Sequence, residues 1–208
     1  MGAINRFNLD ELIEKFNLEY FFETGTLRGE GIEYALKSNF KKIFSIEIVE
    51  ETYNIAANKF KDNKKVKIIY GDSSKIIVDL VKQLPGNTLF WLDAHFPGAD
   101  IGLNTYRKCL EIDYDTRLPL EKELKAISTR TNEFKDVIIA DDLWLFKEGT
   151  YGAGNVDEHC KAHGHNVTKL ELAEGKSLDF TKELFSNTHD LKEFLPDQGY
   201  LVIMPKNK

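Results

Sequence analysis

Up to Ala140, apolar positions fall into short continuous runs, separated by stretches where they recur every three or four residues. The runs lie at 20–25, 42–48, 66–70, 88–92 and 136–140, and each reads as a strand buried on both faces. Helical spacing fills the gaps at 29–39, 50–60 and 75–84; Ile32, Ala35, Leu36 and Phe40 mark the first of these, and Pro85-Gly86 stops the third. Leu120, Leu124 and Ile127 share one face of a further helix, and residues 8–17 form an amphipathic one with Asn8 or Asp10 as cap. This alternation predicts βαβ units, hence an α/β fold with a doubly wound, mostly parallel sheet and helices on both faces. Beyond Ala140 the pattern is weaker. Residues 180–195 read as a helix and 199–204 as a last strand. One domain over 1–208 is expected, with 1–19 an N-terminal helical segment and 96–118 and 147–177 loops around a site.

Composition narrows the function classes. With 42% hydrophobic and 30% charged residues the chain is that of an ordinary soluble protein. No apolar run approaches a membrane span, so no membrane partner is expected. The first residues lack the basic-then-apolar build of a signal peptide, and Arg6 stands where a myristoylation signal needs Ser or Thr. Cys109 and Cys160 make no disulfide framework, which suits the reducing cytoplasm. A net charge of −6 argues against a nucleic-acid partner. The oligomeric state, homo-oligomer included, stays open.

Chemistry collects at the strand ends. In an open α/β sheet ligands bind at the carboxyl edge. There the predicted strands finish on Glu23 with Gly25, Glu47, Asp72, Asp93 with His95, and Asp141 with Asp142. Like charges repel, so a row of carboxylates along one edge points to function rather than structure. The first strand runs into a turn with glycines at 25, 29 and 31, followed by a helix whose N-terminus faces the gap. The spacing is neither the dinucleotide fingerprint nor a phosphate loop. Glu47, about twenty residues beyond that turn, suits the ribose hydroxyls of a nucleoside, and Asp72 with Ser73 suits the edge of an adenine. Asp93, Asp141 and Asp142 form an oxygen cluster that a divalent ion such as Mg²⁺ would neutralise. His95, two residues past Asp93, can serve as a base near neutral pH.

Glu23-Thr24-Gly25-x-x-Arg28-Gly29, the Leu92-Asp93-x-His95 turn and Ile139-Ala140-Asp141-Asp142 resemble the class I S-adenosylmethionine-dependent methyltransferases. They are most similar to the macrocin-type sugar O-methyltransferases, with E-T-G-x-x-R-G, L-D-G-D and a D-D pair. The stretch Phe90–Gly98 and Pro119-Leu120-x-x-Glu123-Leu124 also look like methyltransferases linked to bacterial surface polysaccharides. The resemblance implies a Rossmann-like methyltransferase sheet that binds S-adenosylmethionine (SAM) and Mg²⁺. It places Glu23, Thr24, Gly25, Thr26, Arg28, Gly29, Glu47, Ile48, Asp72, Ser73 and Asp93 around the cofactor. Asp93, Asp141 and Asp142 would hold the metal. His95 stands where the family has its acidic general base, so His95 and Asp93 are the expected catalytic pair. The implied reaction is methylation of a hydroxyl on a small polar acceptor, a nucleotide-activated sugar.

Other readings stay open on the sequence. An NAD(P)-dependent oxidoreductase or epimerase would use the same Glu47 and Asp72, a metal-dependent hydrolase the same acids, and a binding module the cofactor without transfer. Arg107, Lys108 and Arg117 in the long 96–118 loop could meet a phosphate. His159, Cys160, His163 and His165 have ligand types that suit zinc, at a spacing of no established site. Residues 151–155 read as a loop over the acceptor.

Overall fold

A computed structural model describes residues 3–206. A 3-10 turn (Ile4–Arg6) and α1 (Leu9–Phe16) precede the first strand; the Asn8 side chain accepts from the Glu11 N–H at 3.3 Å, and Asn17 ends the helix with φ 52°. Then come β1 (Tyr20–Thr24), α2 (Glu30–Ala35), β2 (Lys42–Glu47), α3 (Glu50–Phe60), β3 (Val66–Tyr70), α4 (Ser73–Val81) and β4 (Thr88–Leu92). The remaining elements are α5 (Tyr106–Cys109), α6 (Tyr114–Arg117), α7 (Leu120–Ser128), β5 (Val137–Ala140), α8 (Leu143–Phe146), α9 (Val156–Ala162), α10 (Lys169–Ala173), α11 (Phe180–Phe185), β6 (His189–Phe194) and β7 (Tyr200–Pro205).

The seven strands make one sheet in the order β3-β2-β1-β4-β5-β7-β6. Strands β1 to β5 pair in parallel, and β7 runs antiparallel to both β5 and β6. The order reverses between β1 and β4, which places a topological switch point at the turns after Thr24 and Leu92. Alternate side chains feed two cores. Phe22, Phe90 and Ile138 face Ile77 of α4 and Leu124 and Ile127 of α7. Phe21, Leu89, Trp91 and Ile139 face Phe16 of α1 and Ile32 of α2. Every residue of β4 and β5 is buried, as strands covered on both faces must be.

At the edge away from the strand ends, Arg130 and Asp136 form a buried clamp. The guanidinium donates to Asp136 Oδ2 at 2.9 Å and to the carbonyls of Val81, Leu84 and Gly86, while Thr88 N–H donates to Asp136 Oδ1 at 2.8 Å. It joins the ends of α4 and α7 to the starts of β4 and β5. No helix among the described residues is long and apolar enough to cross a membrane.

The sheet differs from the sequence expectation mainly in its last third. The predicted helix over 180–195 is α11 followed by strand β6. β6 is a mostly exposed edge strand pairing only with β7, so its charged residues imitate a helix surface until that partner is in place. The 96–118 and 147–177 stretches carry α5, α6, α9 and α10, each too short to show a helical period.

Candidate functional site

Two cavities share the carboxyl edge of the sheet. The first is lined by Gly25, Leu27, Glu47, Ile48, Asp72 and Ser73 on one side and by Asp93, His95, Pro97, Gly98, Asp100, Thr116 and Pro119 on the other. The second lies between the β4 turn and α8, α9 and α10, with Tyr106, Asp141, Asp142, Trp144, His159 and His165 among its walls. Asp93, His95 and Asp100 line both.

Backbone geometry explains how the turns come so close. Gly25 has φ 84°, and a Cβ there would stand 2.6 Å from the Asp93 carbonyl oxygen, so only glycine lets the β1 and β4 turns touch. Leu27, Phe96 and Asp142 also occupy the left-handed region, at φ 47°, 36° and 57°. They sit in the loops after β1, β4 and β5, and each such residue costs on the order of 1 kcal/mol or more.

Glu47 is 4% exposed and anchored from both sides: Leu27 N–H donates to Oε2 and Val49 N–H to Oε1, each at 2.8 Å. Burial raises its pKa against the pull of those N–H groups. Each oxygen keeps a lone pair for a ligand hydroxyl in the first cavity. Asp72 caps α4 through Ser74, accepts the Thr116 hydroxyl at 2.7 Å and pairs with Lys75 at 2.8 Å. Burial pushes its pKa up, but Lys75 and these hydrogen bonds bring it below the usual carboxylate value. Its carboxylate is therefore held by the protein while it lines the cavity.

The expected cofactor residues divide. Gly25, Glu47, Ile48, Asp72, Ser73 and Asp93 line the first cavity. Glu23, Thr26 and Arg28 line a third hollow on the far side of Gly25. Glu23 lies under α2, accepts the Ser45 hydroxyl at 2.5 Å and is pushed up to about 8 by burial. A Cβ on Gly31 would stand 1.8 Å from its Oε1, so that glycine makes room for Glu23. The Thr26 hydroxyl meets Ser45 at 2.6 Å, and Arg28 is exposed. Thr24 and Gly29 line none of these spaces: Thr24 is fully buried, and Gly29 caps α2 over the Phe60 ring.

The acids after β4 and β5 meet around His95. Its Nδ1 is 3.2 Å from Asp142 Oδ2 and 3.7 Å from Asp93 Oδ1, and its Nε2 is 2.9 Å from Asp100 Oδ2. Asp100 also accepts the Tyr106 hydroxyl. Asp93, His95 and Asp142 each turn one ligand atom to a common point, all within 4.8 Å of one another. Asp141, the third acid of the expected metal set, is outside that group and accepts the Asp142 N–H at 2.7 Å. Burial raises all three; repulsion from Asp141 and Asp142 adds to it at Asp93, from Asp100 at Asp142 and from Asp142 at Asp141, which is pushed up to about 7. Burial alone would lower the His95 pKa, but Asp142, Asp100 and Asp93 lift it well above the ordinary value. The same ion pair brings Asp100 down to about 2 against the effect of its burial. A Mg²⁺ ion takes one or two carboxylates and keeps waters, so Asp93 and Asp142 fit it, with His95 beside them.

No protein-family model and no curated protein matches the sequence. Solved structures do. The SAH-bound methyltransferase PaMTH1 of Podospora anserina superposes with TM-score 0.56 at 12% identity, over 96% of this chain and 76% of that one. An O-methyltransferase of Bacillus cereus in complex with SAH gives 0.56 at 14%, over 95% and 79%. The O-methyltransferase TomG of Streptomyces achromogenes, involved in tomaymycin synthesis and solved with SAM, gives 0.54 at 13%, over 96% and 78%. The fold is that of the methyltransferases.

Within this methyltransferase fold the sequence reading missed several wall residues. Thr116 of the 96–118 loop and Pro119 just after it close the first cavity, and Tyr106, Trp144 and Gln198 line the second. The unusual length of that loop was the one sequence signal for Thr116 and Tyr106. Glu123 of α7 is 1% exposed, lies close to Ser73 and Thr24 without a well-formed hydrogen bond, and is pushed up to about 7 by burial. The histidine-rich stretch is a stack rather than a ligand set: the His159 and His163 rings are 4.1 Å apart, and the four side chains do not converge. His159, Cys160 and His165 line the second cavity. Arg107 reaches the Asn166 carbonyl and Glu171, and Arg117 pairs with Glu174. Residues 151–155 do not cover the second cavity; Gly152 and Ala153 donate to the Leu195 and Asp197 carbonyls, which holds them to the β6–β7 turn.

Proposed function

We propose that this chain is an SAM-dependent O-methyltransferase that acts on a hydroxyl of a small polar acceptor, a nucleotide-activated sugar used for surface polysaccharide. The observation that carries the reading is the wall shared by the two cavities. Asp93, His95 and Asp100 face the first cavity on one side and the second on the other. In the first, Glu47 would accept the ribose hydroxyls, Ser73 and Ile48 would flank the base, and Gly25 would let the methionine end approach β1. In the second, the Tyr106, Trp144 and His165 rings would flank a sugar ring.

A sulfonium methyl is already activated, so the protein's part is to align donor and acceptor and to remove one proton. The acceptor oxygen attacks the methyl carbon as the carbon–sulfur bond breaks, and the hydroxyl proton passes to His95. Asp93 and Asp142 would hold Mg²⁺, which neutralises them and lowers the pKa of a bound hydroxyl. Asp141 supports that pair from behind through the Asp142 N–H. Both proposed substrates are made in the cytoplasm, where the reaction would run.

The test is transfer of a labelled methyl group from SAM to a panel of nucleoside-diphosphate sugars, with Mg²⁺ and with excess chelator. Transfer that needs the ion is expected. Tight binding of NAD and none of SAM would overturn the cofactor assignment, and undiminished turnover in chelator would remove the metal.

A further inference from the structure

Buried polar groups nearly always find a partner, so one that lacks any within the protein invites a ligand. Among the described residues four buried side-chain atoms have none: Thr24 Oγ1, Arg117 Nε, Glu123 Oε1 and Gln198 Oε1. Of these residues only Gln198 lines either of the two cavities, the second. It is 6% exposed and sits in the β6–β7 turn, which is pinned from both sides. The Trp144 and Leu143 N–H groups donate to the Gln198 and Gly199 carbonyls at 3.0 Å, while Asp197 pairs with Arg6 at 2.9 Å and accepts the Tyr200 hydroxyl at 3.0 Å. The backbone that carries the amide is therefore set before any ligand arrives. Charge on the same wall narrows the ligand. Asp93, Asp100, Asp141 and Asp142 line it, the Tyr106 hydroxyl is spent on Asp100, and among the described residues no Lys or Arg reaches it. A phosphate would meet acids there, whereas an uncharged, hydroxylated ring fits.

We propose that the side-chain amide of Gln198 is the specificity-determining group of the second cavity: it hydrogen-bonds a second hydroxyl of the acceptor ring, not the one that is methylated. This rests on the reading of the second cavity as the acceptor site. An amide both accepts and donates, as a hydroxyl does, so the two pair in either sense. A ring that carries the hydroxyl gives the buried amide the partner it lacks in the protein, and a ring without it leaves the amide unpaired. No bond of the reaction forms or breaks at Gln198. It selects and seats the ring, and the proton leaves through other groups.

The experiment offers UDP-glucose, UDP-galactose and GDP-mannose, each with its monodeoxy analogues, to the wild type and to Gln198→Met, which keeps the length of the side chain without its amide. With the sugar that is methylated, loss of one particular hydroxyl besides the reacting one should lower wild-type kcat/KM about 10–100-fold. Gln198→Met should lose as much with the parent sugar, chiefly through KM, and should no longer distinguish the parent from that analogue. Its SAM affinity should be unchanged, and its melting temperature should not fall, because no unpartnered oxygen stays buried. Wild type that treats every such analogue like its parent overturns the proposal without any variant. A Gln198→Met that discriminates as wild type does overturns it too. So does one that melts earlier and loses SAM, which makes the amide structural. If none of the three sugars is methylated, the acceptor reading fails and this role falls with it.

Discussion

Single side chains decide most of what this site can do. Glu47 holds two backbone N–H groups while facing the first cavity, so Glu47→Ala should weaken SAM binding by about 1–3 kcal/mol. Titration calorimetry checks it, and an unchanged affinity would take Glu47 out of the site. Glu23 makes a prediction about stability. Its folded pKa of about 8, against an ordinary 4.5, means the folded chain keeps a proton that the unfolded chain loses. Stability should therefore fall as pH rises from about 4.5 to about 8. Glu23→Gln cannot titrate, so it should flatten that slope and raise the melting temperature at pH 8 by roughly 2–4 °C per kcal/mol recovered. Melting curves at pH 5 and pH 8 that shift equally would refute it. His95 makes a prediction about turnover. Its pKa lies above the ordinary value because Asp142, Asp100 and Asp93 outweigh its burial, and only the neutral ring can accept a proton. Turnover should drop as pH falls through that pKa, and the drop should move to lower pH as Mg²⁺ neutralises Asp93 and Asp142. Rate profiles at two Mg²⁺ concentrations test this; a limb that stays fixed counts against it.

At the level of elements, the clamp at the far edge of the sheet should be separable from the site. Asp136→Ala leaves the buried Arg130 guanidinium and the Thr88 N–H unpaired, and should cost about 3–5 kcal/mol of stability. Cofactor affinity measured on the protein that remains folded should stay near wild type, and a parallel loss of affinity would mean the clamp also shapes the cleft. Elements differ in how legible they were from sequence. β4 and β5 are buried on both faces, so their apolar runs stood out, and the acids at their ends followed from the runs. The glycines at 25, 29 and 31 also stood out, but their reason was partly hidden. They let protein approach protein, with Gly25 against Asp93, Gly29 against Phe60 and Gly31 against Glu23, as well as opening the cavity. β6 was illegible because its strand character comes from β7, and the Asp100–His95 contact because it depends on a loop fold that no local period encodes.

Considered whole, the molecule is a sheet edge on which two cavities share one wall, Asp93, His95 and Asp100. Ligand binding should stabilise it accordingly: SAM at 100 times its dissociation constant should add about 2.7 kcal/mol to unfolding, read as a rise in melting temperature that NAD does not reproduce. The position of the last strand carries a consequence of another kind. Every residue lining the first cavity precedes Leu120, whereas the second needs Gln198, and Leu143 and Trp144 donate to the carbonyls of Gly199 and Gln198. β7 also covers the free side of β5. During synthesis the residues of the first cavity thus leave the ribosome well before the second cavity can close. Until residues 200–205 follow, β5 presents an unpaired edge beside Asp141 and Asp142, the interval in which this chain is most exposed to mispairing and to chaperones.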